Sequence, residues 1–283
     1  MTPETKEWFK KGNILYNQGK YKDAIDCYSK AVAIDPDFVE AWTNKGAALA
    51  NLGQHKDAID CYDKALEIKP ELAKIWHNKG LALYKLGKYD EAVNCYDKAL
   101  EIEPDLAESW CQKGHALIGL GKHKEAIECY DKAIAIDSSC EEAWGMKGNS
   151  LAKLGNHKEA IDCYDKILNI NPYDVKSWSN KGAALLELGK YKEAIDCFNK
   201  AIKLEPNSID DWYNKGLALY NLGQYEEAVN CYDKVLKKKP DDVRVLYNKG
   251  NALNKLGKIK EAGDCINRVK KLDPLGYLLG LKK

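Results

Sequence analysis

Apolar residues in this chain recur every three or four positions over short stretches, break, and restart on a longer beat. In residues 39–72, VEAWTNKGAALANLGQHKDAIDCYDKALEIKPEL, one stripe is formed by Ala41, Trp42, Leu49 and Leu52. A second is formed by Ala58, Ile59, Tyr62, Ala65, Leu66 and Ile68. Both have helical spacing, with polar residues on the other side. Gly53 lies between them, where a left-handed C-cap is expected. Pro70 ends the second stripe, because it lacks an amide hydrogen and crowds the preceding turn. The pattern predicts an antiparallel helical hairpin. Gly46 falls inside the first helix, where glycine costs about 1 kcal/mol relative to alanine. A close approach between the paired helices offsets that, with Ala58 as the expected small partner.

The hairpin then repeats. Trp stands at 8, 42, 76, 110, 144, 178 and 212. Gly stands at 12, 46, 80, 114, 148, 182, 216 and 250, and seven residues later in each unit. Pro closes the units at 36, 70, 104, 172, 206, 240 and 274, with Ser138 in the remaining place. The boundaries are 5–38, 39–72, 73–106, 107–140, 141–174, 175–208, 209–242 and 243–276, after a cap at 1–4 and before a tail at 277–283. A fixed period of this length means stacked units that bury their apolar faces on their neighbours. The expected fold is all-α, an α-solenoid forming one elongated domain.

Charge changes this picture little. The net charge is +1, so nothing global points to nucleic acid or a membrane. The basic end from residue 243 carries lysines without arginine-and-aromatic platforms, so no nucleic-acid partner is expected. No apolar run approaches the roughly 20 residues of a membrane span, and no secretory leader is expected in the polar start. Of ten cysteines, eight (27, 61, 95, 129, 163, 197, 231, 265) hold one place per repeat. Stacked helices lie about 8–10 Å apart, too far for a disulfide, which needs Cα atoms within about 7 Å. They read as free thiols in a reducing compartment, and a cytoplasmic location is the expectation.

The run Trp42, Gly46, Leu49, Ala58, Tyr62, Ala65, Pro70 resembles the tetratricopeptide repeat, and the likeness covers nearly the whole chain. It implies a right-handed superhelix whose first helices line a concave groove, and a non-catalytic scaffold that takes extended peptide or protein segments there. The chain departs from the family pattern twice. Lysine precedes the first glycine in every unit, from Lys11 to Lys249, and leucine follows it by three, from Leu15 to Leu253. Two readings of the lysines stand: stems over Trp or Leu with ammonium groups near acids such as Asp63 and Asp97, or a cationic rail facing a partner.

The ends depart from the repeat. Thr2 and Pro3 suit the start of a helix. Leu246, Gly263 and Lys270 make the last unit degenerate. The tail LGYLLGLKK, 275–283, either packs on the last hairpin or inserts into another copy and drives self-association. Asp137-Ser138-Ser139-Cys140 reads as a softer joint or a plain serine turn.

Within the groove the resemblance places the second, fifth, sixth, ninth, twelfth and thirteenth residues of each unit. The sixth carries Asn44, Asn78, Asn180, Asn214 and Asn248, and the ninth adds Asn13, Asn149 and Asn251. A side-chain amide offers a donor and an acceptor, matching a peptide unit without reading its sequence. Such asparagines either form a peptide-holding ladder or bond water. Phe9, Tyr16, Tyr84, Tyr213, Tyr220 and Tyr247 interleave with Leu81, Ile118, Leu186 and Leu217 as side-chain pockets, the aromatic ones in two patches, repeats 1–3 and 7–8. Asn13, Asn44 and Lys74 match three places of the family's carboxylate clamp, while Phe9 and Asn78 replace two cations, so carboxylate capture is not expected. No catalytic constellation or phosphate loop is expected, and no cofactor. His55, His123 and His157 stand where other units have Tyr and read as structural. A metal on His77, Cys111 and His115 is conceivable, but none is expected. The rival reading of the whole chain is a structural segment that stacks through its terminal repeats.

Overall fold

The computed structural model describes residues 2–274; the 275–283 tail, and with it the self-association reading, lies outside them. Sixteen α-helices and no strand occur among the described residues. In chain order they are α1 (Pro3–Asn17), α2 (Tyr21–Ile34), α3 (Val39–Asn51), α4 (His55–Ile68), α5 (Ala73–Lys85), α6 (Tyr89–Ile102), α7 (Ala107–Gly119) and α8 (His123–Ile136). Then follow α9 (Glu141–Lys153), α10 (His157–Ile170), α11 (Val175–Glu187), α12 (Tyr191–Leu204), α13 (Ile209–Asn221), α14 (Tyr225–Lys238), α15 (Val243–Lys255) and α16 (Ile259–Leu272). They pair as hairpins on the predicted beat. The chain divides into two compact units, residues 1–150 and 151–283, with the division inside α9.

The turns follow from the glycines. All eight turn glycines, from Gly19 to Gly257, have φ between +71° and +84°. Around the first of them, Gly19 N–H donates to Tyr16 O at 2.9 Å and Lys20 N–H to Leu15 O at 2.9 Å. That is the bond pair of a Schellman cap, and it satisfies the carbonyls left over at the end of α1. At the start, Thr5 N–H donates to Thr2 Oγ1 at 3.2 Å, with Pro3 opening the helix.

The close approach at Gly46 is made with a different residue from the one expected. A Cβ there would meet the Tyr62 ring at 2.6 Å, so the tyrosine ring, not the Ala58 methyl, stands against the bare backbone. The same holds at Gly12, Gly80, Gly114 and Gly216 against Tyr28, Tyr96, Tyr130 and Tyr232, and at Gly182 against Phe198. These six aromatic rings are buried to 2 % exposure or less and form the core of their hairpins. In the degenerate last repeat Ile266 faces Gly250 at a looser 3.1 Å.

Neighbouring hairpins are joined by a second set of contacts. Trp42 Nε1–H donates to Pro36 O at 2.8 Å, and Trp76, Trp110, Trp178 and Trp212 repeat the bond one unit on. At the missing proline the bond survives, because Trp144 Nε1–H finds Ser138 O at 3.0 Å. Ser139 N–H and Oγ–H both donate to Asp137 Oδ1, so the joint is a serine turn held by its own side chains.

The lysines stitch across the same seam. Lys79, Lys113, Lys147 and Lys249 reach Asp63, Asp97, Asp131 and Asp233 at 2.5–2.6 Å, and Lys181 pairs with Asp165. The ammonium groups of seven of them, Lys11 to Lys215, also lie 5.2–5.8 Å from the Trp ring of their own repeat. Five lysines are therefore committed inside the stack, which removes them from a cationic rail. Sixteen residues before Lys45 and Lys215, where the aspartate stands for the other five, the sequence has Ser29 and Asn199.

Candidate functional site

Within each unit, first helices touch one another from repeat to repeat: α1 with α3, α3 with α5, α5 with α7, and α11 with α13, α13 with α15. Second helices touch only first helices. The first-helix side is therefore the more tightly gathered wall of each unit, and it carries the predicted positions. Two hollows lie along it. One, between repeats 2 and 3, is lined by Tyr16, Asn51, Tyr62, Asn78, Leu81 and Lys85, among others. The other, between repeats 6 and 7, is lined by residues that include Lys176, Ser179, Asn180, Glu205, Asp210 and Asn214. The first is aromatic and amide-rich with a basic rim, whereas the second is amide-rich with several carboxylates. Tyr62 was singled out in the sequence only as a residue of the repeat pattern, and Asn51, Lys176 and Asp210 were not singled out at all. Their places in the repeat would have found Asn51, Lys176 and Asp210, which occupy groove positions two and thirteen.

The asparagines divide into two groups. Asn13 Oδ1 accepts from Tyr28 Oη–H at 2.8 Å and from Asn44 Nδ2–H at 3.0 Å. Asn248 Nδ2–H donates to Tyr213 Oη at 3.0 Å. These three brace the wall itself. Asn78 and Asn214 line the hollows, and Asn180 joins Asn214 in the second. Asn251 is half-buried on α15, and Lys74 is exposed in the first turn of α5. Asn13 and Asn44, two of the clamp-like residues, thus spend their bond on each other.

The groove aromatics are braced from behind. Tyr16, Tyr84 and Tyr220 sit 5.3–5.5 Å from Tyr21, Tyr89 and Tyr225 of the paired helix. Phe9 packs on Phe38 at 4.7 Å, Tyr213 lies 6.2 Å from Tyr232, and Tyr247 is half-buried on α15. Rings held in this way present a half-exposed edge without a large ordering cost on contact. Below them, the buried hydroxyls of Tyr96, Tyr130 and Tyr232 have no partner among the described residues. Tyr28 has one because Asn13 stands fifteen residues before it; the equivalent places hold Leu81, His115 and Leu217. Burial pushes the Tyr28 hydroxyl up to about 12.

Three features concern reactive groups. Seven of the eight ladder thiols are buried, Cys265 being half-buried, and burial raises Cys61, Cys95, Cys129, Cys197 and Cys231 to about 11. His77 Nδ1 lies 2.8 Å from Ser109 Oγ, but Ser109 is 1 % exposed, so its hydroxyl cannot reach a substrate in solvent. The trio His77, Cys111 and His115 does not come together as such; Cys111 and His115 are instead joined by Glu142, which the sequence reading overlooked. Burial lowers His115, against the opposing pull of Glu142.

Profiles of the tetratricopeptide repeat match 39–72, 73–106, 107–140, 141–174 and 175–208, more than half of the chain in unbroken succession. Related repeat profiles match 12–53, 216–257, 197–230 and 243–274. The chain belongs to the tetratricopeptide-repeat family. No curated protein matches it. Among solved structures it is similar to MamA, at 24% identity over 61% of this chain and 94% of that one, with a TM-score of 0.57. It is also similar to YrrB, described as a TPR protein with an unusual peptide-binding site, at 23% identity over 68% and 96%, with a TM-score of 0.59. A tetratricopeptide repeat protein from Parabacteroides merdae spans 92% of this chain and 99% of its own, at 18% identity and a TM-score of 0.63. These likenesses establish the repeat fold. Among the described residues no helix is long and apolar enough to cross a membrane.

Proposed function

We propose that the eight repeats act as one non-catalytic scaffold that holds extended peptide or protein segments along the first-helix wall. The observation that carries the reading is the pair of hollows. Each sets a ladder asparagine, Asn78 or Asn214, among half-buried side chains able to receive a partner's side chain. An amide at that place bonds a peptide unit of any sequence, while its surroundings set the preference. The repeat 2–3 hollow, with Tyr16, Leu81 and Lys85, suits an apolar or aromatic residue followed by an acidic one. The repeat 6–7 hollow, with Glu205 and Asp210, suits a basic residue. The neighbour described as having a peptide-binding site supports the class of ligand and says nothing of its sequence.

The test is selection from a random peptide library on the full chain, followed by photocrosslinking of the enriched peptides. Crosslinks are expected on α3 and α5, or on α11 and α13. Lack of enrichment, or crosslinks confined to the second helices, would contradict the proposal.

A further inference from the structure

Eight of the ten cysteines belong to the ladder; Cys111 and Cys140 do not. These two are twenty-nine residues apart in the sequence, one on α7 and one in the α8–α9 turn, yet Cys140 packs against the buried cluster that contains Cys111. His115 stands one helical turn beyond Cys111 on the same face of α7, and Glu142 stands in the first turn of α9. Cys111 Sγ lies 3.9 Å from His115 Nε2, and His115 Nε2 lies 3.7 Å from Glu142 Oε1. The ligand atoms of Cys111, His115 and Glu142 all fall within 4.8 Å of one another.

The 3.7 Å between His115 and Glu142 is too long for an N–H···O bond, which runs about 2.7–3.2 Å, while the 3.9 Å between Cys111 and His115 is within reach of a weak thiol hydrogen bond. Both distances are close to the edges of a tetrahedron around zinc, about 3.3–3.8 Å for ligand bonds of about 2.0–2.3 Å. The other histidine nitrogen completes the argument. His115 Nδ1 is 3.4 Å from Gln112 Oε1, and with the proton on Nδ1 the lone pair of Nε2 is free for the thiol and carboxylate side. In that tautomer three electron-rich atoms lie within 4.8 Å of one another, an arrangement that a cation satisfies. An oriented imidazole of this kind is the usual outer support of a zinc ligand. The neighbouring repeat offers a contrast: His77 Nε2 also sits 3.6 Å from a carboxylate, Glu108, but its other nitrogen contacts Ser109 and the cysteine place is His77 itself.

We propose that Cys111, His115, Cys140 and Glu142 form a binding site for a zinc-class divalent cation that clamps α7 to the start of α9. Binding displaces the thiol protons to solvent and leaves two thiolates, an imidazole and a carboxylate on the ion, with no change of oxidation state. The clamp ties down the one inter-repeat turn that lacks its proline, Asp137 to Cys140. Because two protons leave as the dication binds, the site keeps its net charge, and the ion takes up the free thiol and carboxylate at these groove positions.

Cobalt(II) titration of the reduced, metal-free full-length chain tests the site. The expected result is stoichiometric binding with a thiolate-to-cobalt charge-transfer band and the intense visible bands of tetrahedral cobalt, both displaced by zinc. Cys140→Ser and His115→Gln should each weaken binding about tenfold or more, and the Cys111→Ser, Cys140→Ser double variant should lose the charge-transfer band. Cys129→Ser and His77→Gln should leave the spectrum unchanged. Circular dichroism shows whether each variant remains helical, and Cys140→Ser, at a half-buried turn residue, keeps the test open if Cys111→Ser misfolds. No thiolate band in the wild type, a band that survives in a helical double variant, or a Cys111–Cys140 disulfide that binds no cobalt once reduced would each overturn the proposal.

Discussion

The seam inside the hairpins and the wall that the first helices present are made by the same helices under opposite constraints. At the seam, Gly46 meets Tyr62, Trp42 meets the preceding turn and Lys79 meets Asp63, and these partners recur with few substitutions. On the wall, the fifth position runs through Phe9, Thr43, His77, Cys111, Gly145, Ser179, Tyr213 and Tyr247. The ring contacts of the seam are bounded on all sides, so volume is fixed there. A wall residue is bounded on one side only and can change chemistry without disturbing the stack. Stability and recognition are thus separable in this chain.

That separation can be broken or sharpened by substitution. The largest effect is expected at a seam ring: Tyr96→Ala should cost about 3–5 kcal/mol in denaturant unfolding, whereas Tyr84→Ala on the wall should cost less than half as much. Gly46→Ala comes next. Its new methyl would sit 2.6 Å from the Tyr62 ring, an overpacking worth about 1–3 kcal/mol. The matching change Gly250→Ala, against Ile266, should be near neutral, since about 1 kcal/mol of helix propensity is regained. Equal losses at both glycines would show that the ring contact is not what requires glycine.

Titration probes the seam more gently. Burial raises the thiols of Cys61, Cys95, Cys129, Cys197 and Cys231 from an ordinary 9.0 to about 11 in the fold. Their folded values are raised, so the stability they contribute is complete below pH 9 and declines as pH rises toward and past 11. Thermal unfolding between pH 8 and 11 should show the decline, and alkylation at pH 8 should spare Cys61 and Cys95 in the native chain. The smallest seam effect belongs to the lysines. Lys79→Met should change stability by no more than about 1 kcal/mol, because its partner Asp63 is nearly half exposed. A larger loss would mean that the lysine stitch, not the rings, holds the repeats in file.

The seam was legible in the sequence because it repeats. Helix positions, turn glycines and repeat boundaries all follow from one period. The partner of Gly46 was misassigned because Ala58 and Tyr62 both recur on the same beat, Ala in all eight units and Tyr in six, and periodicity does not tell which of two recurring residues faces a third. The lysine question was answerable: Lys79, Lys113, Lys147, Lys181 and Lys249 each follow an aspartate by sixteen residues. The wall was less legible because its contacts join residues that occur once. Asn13 with Asn44, and His115 with Glu142, meet across a repeat boundary, and no pattern within one unit announces them.

The separation of seam from wall is tested most directly by measuring unfolding free energy and selected-peptide affinity on one chain carrying Asn78→Ala and Asn214→Ala. Unfolding within about 0.5 kcal/mol per site of the wild type, together with at least tenfold weaker peptide binding, is the predicted result. Unchanged affinity, or a loss of affinity that merely follows a loss of stability, would contradict it.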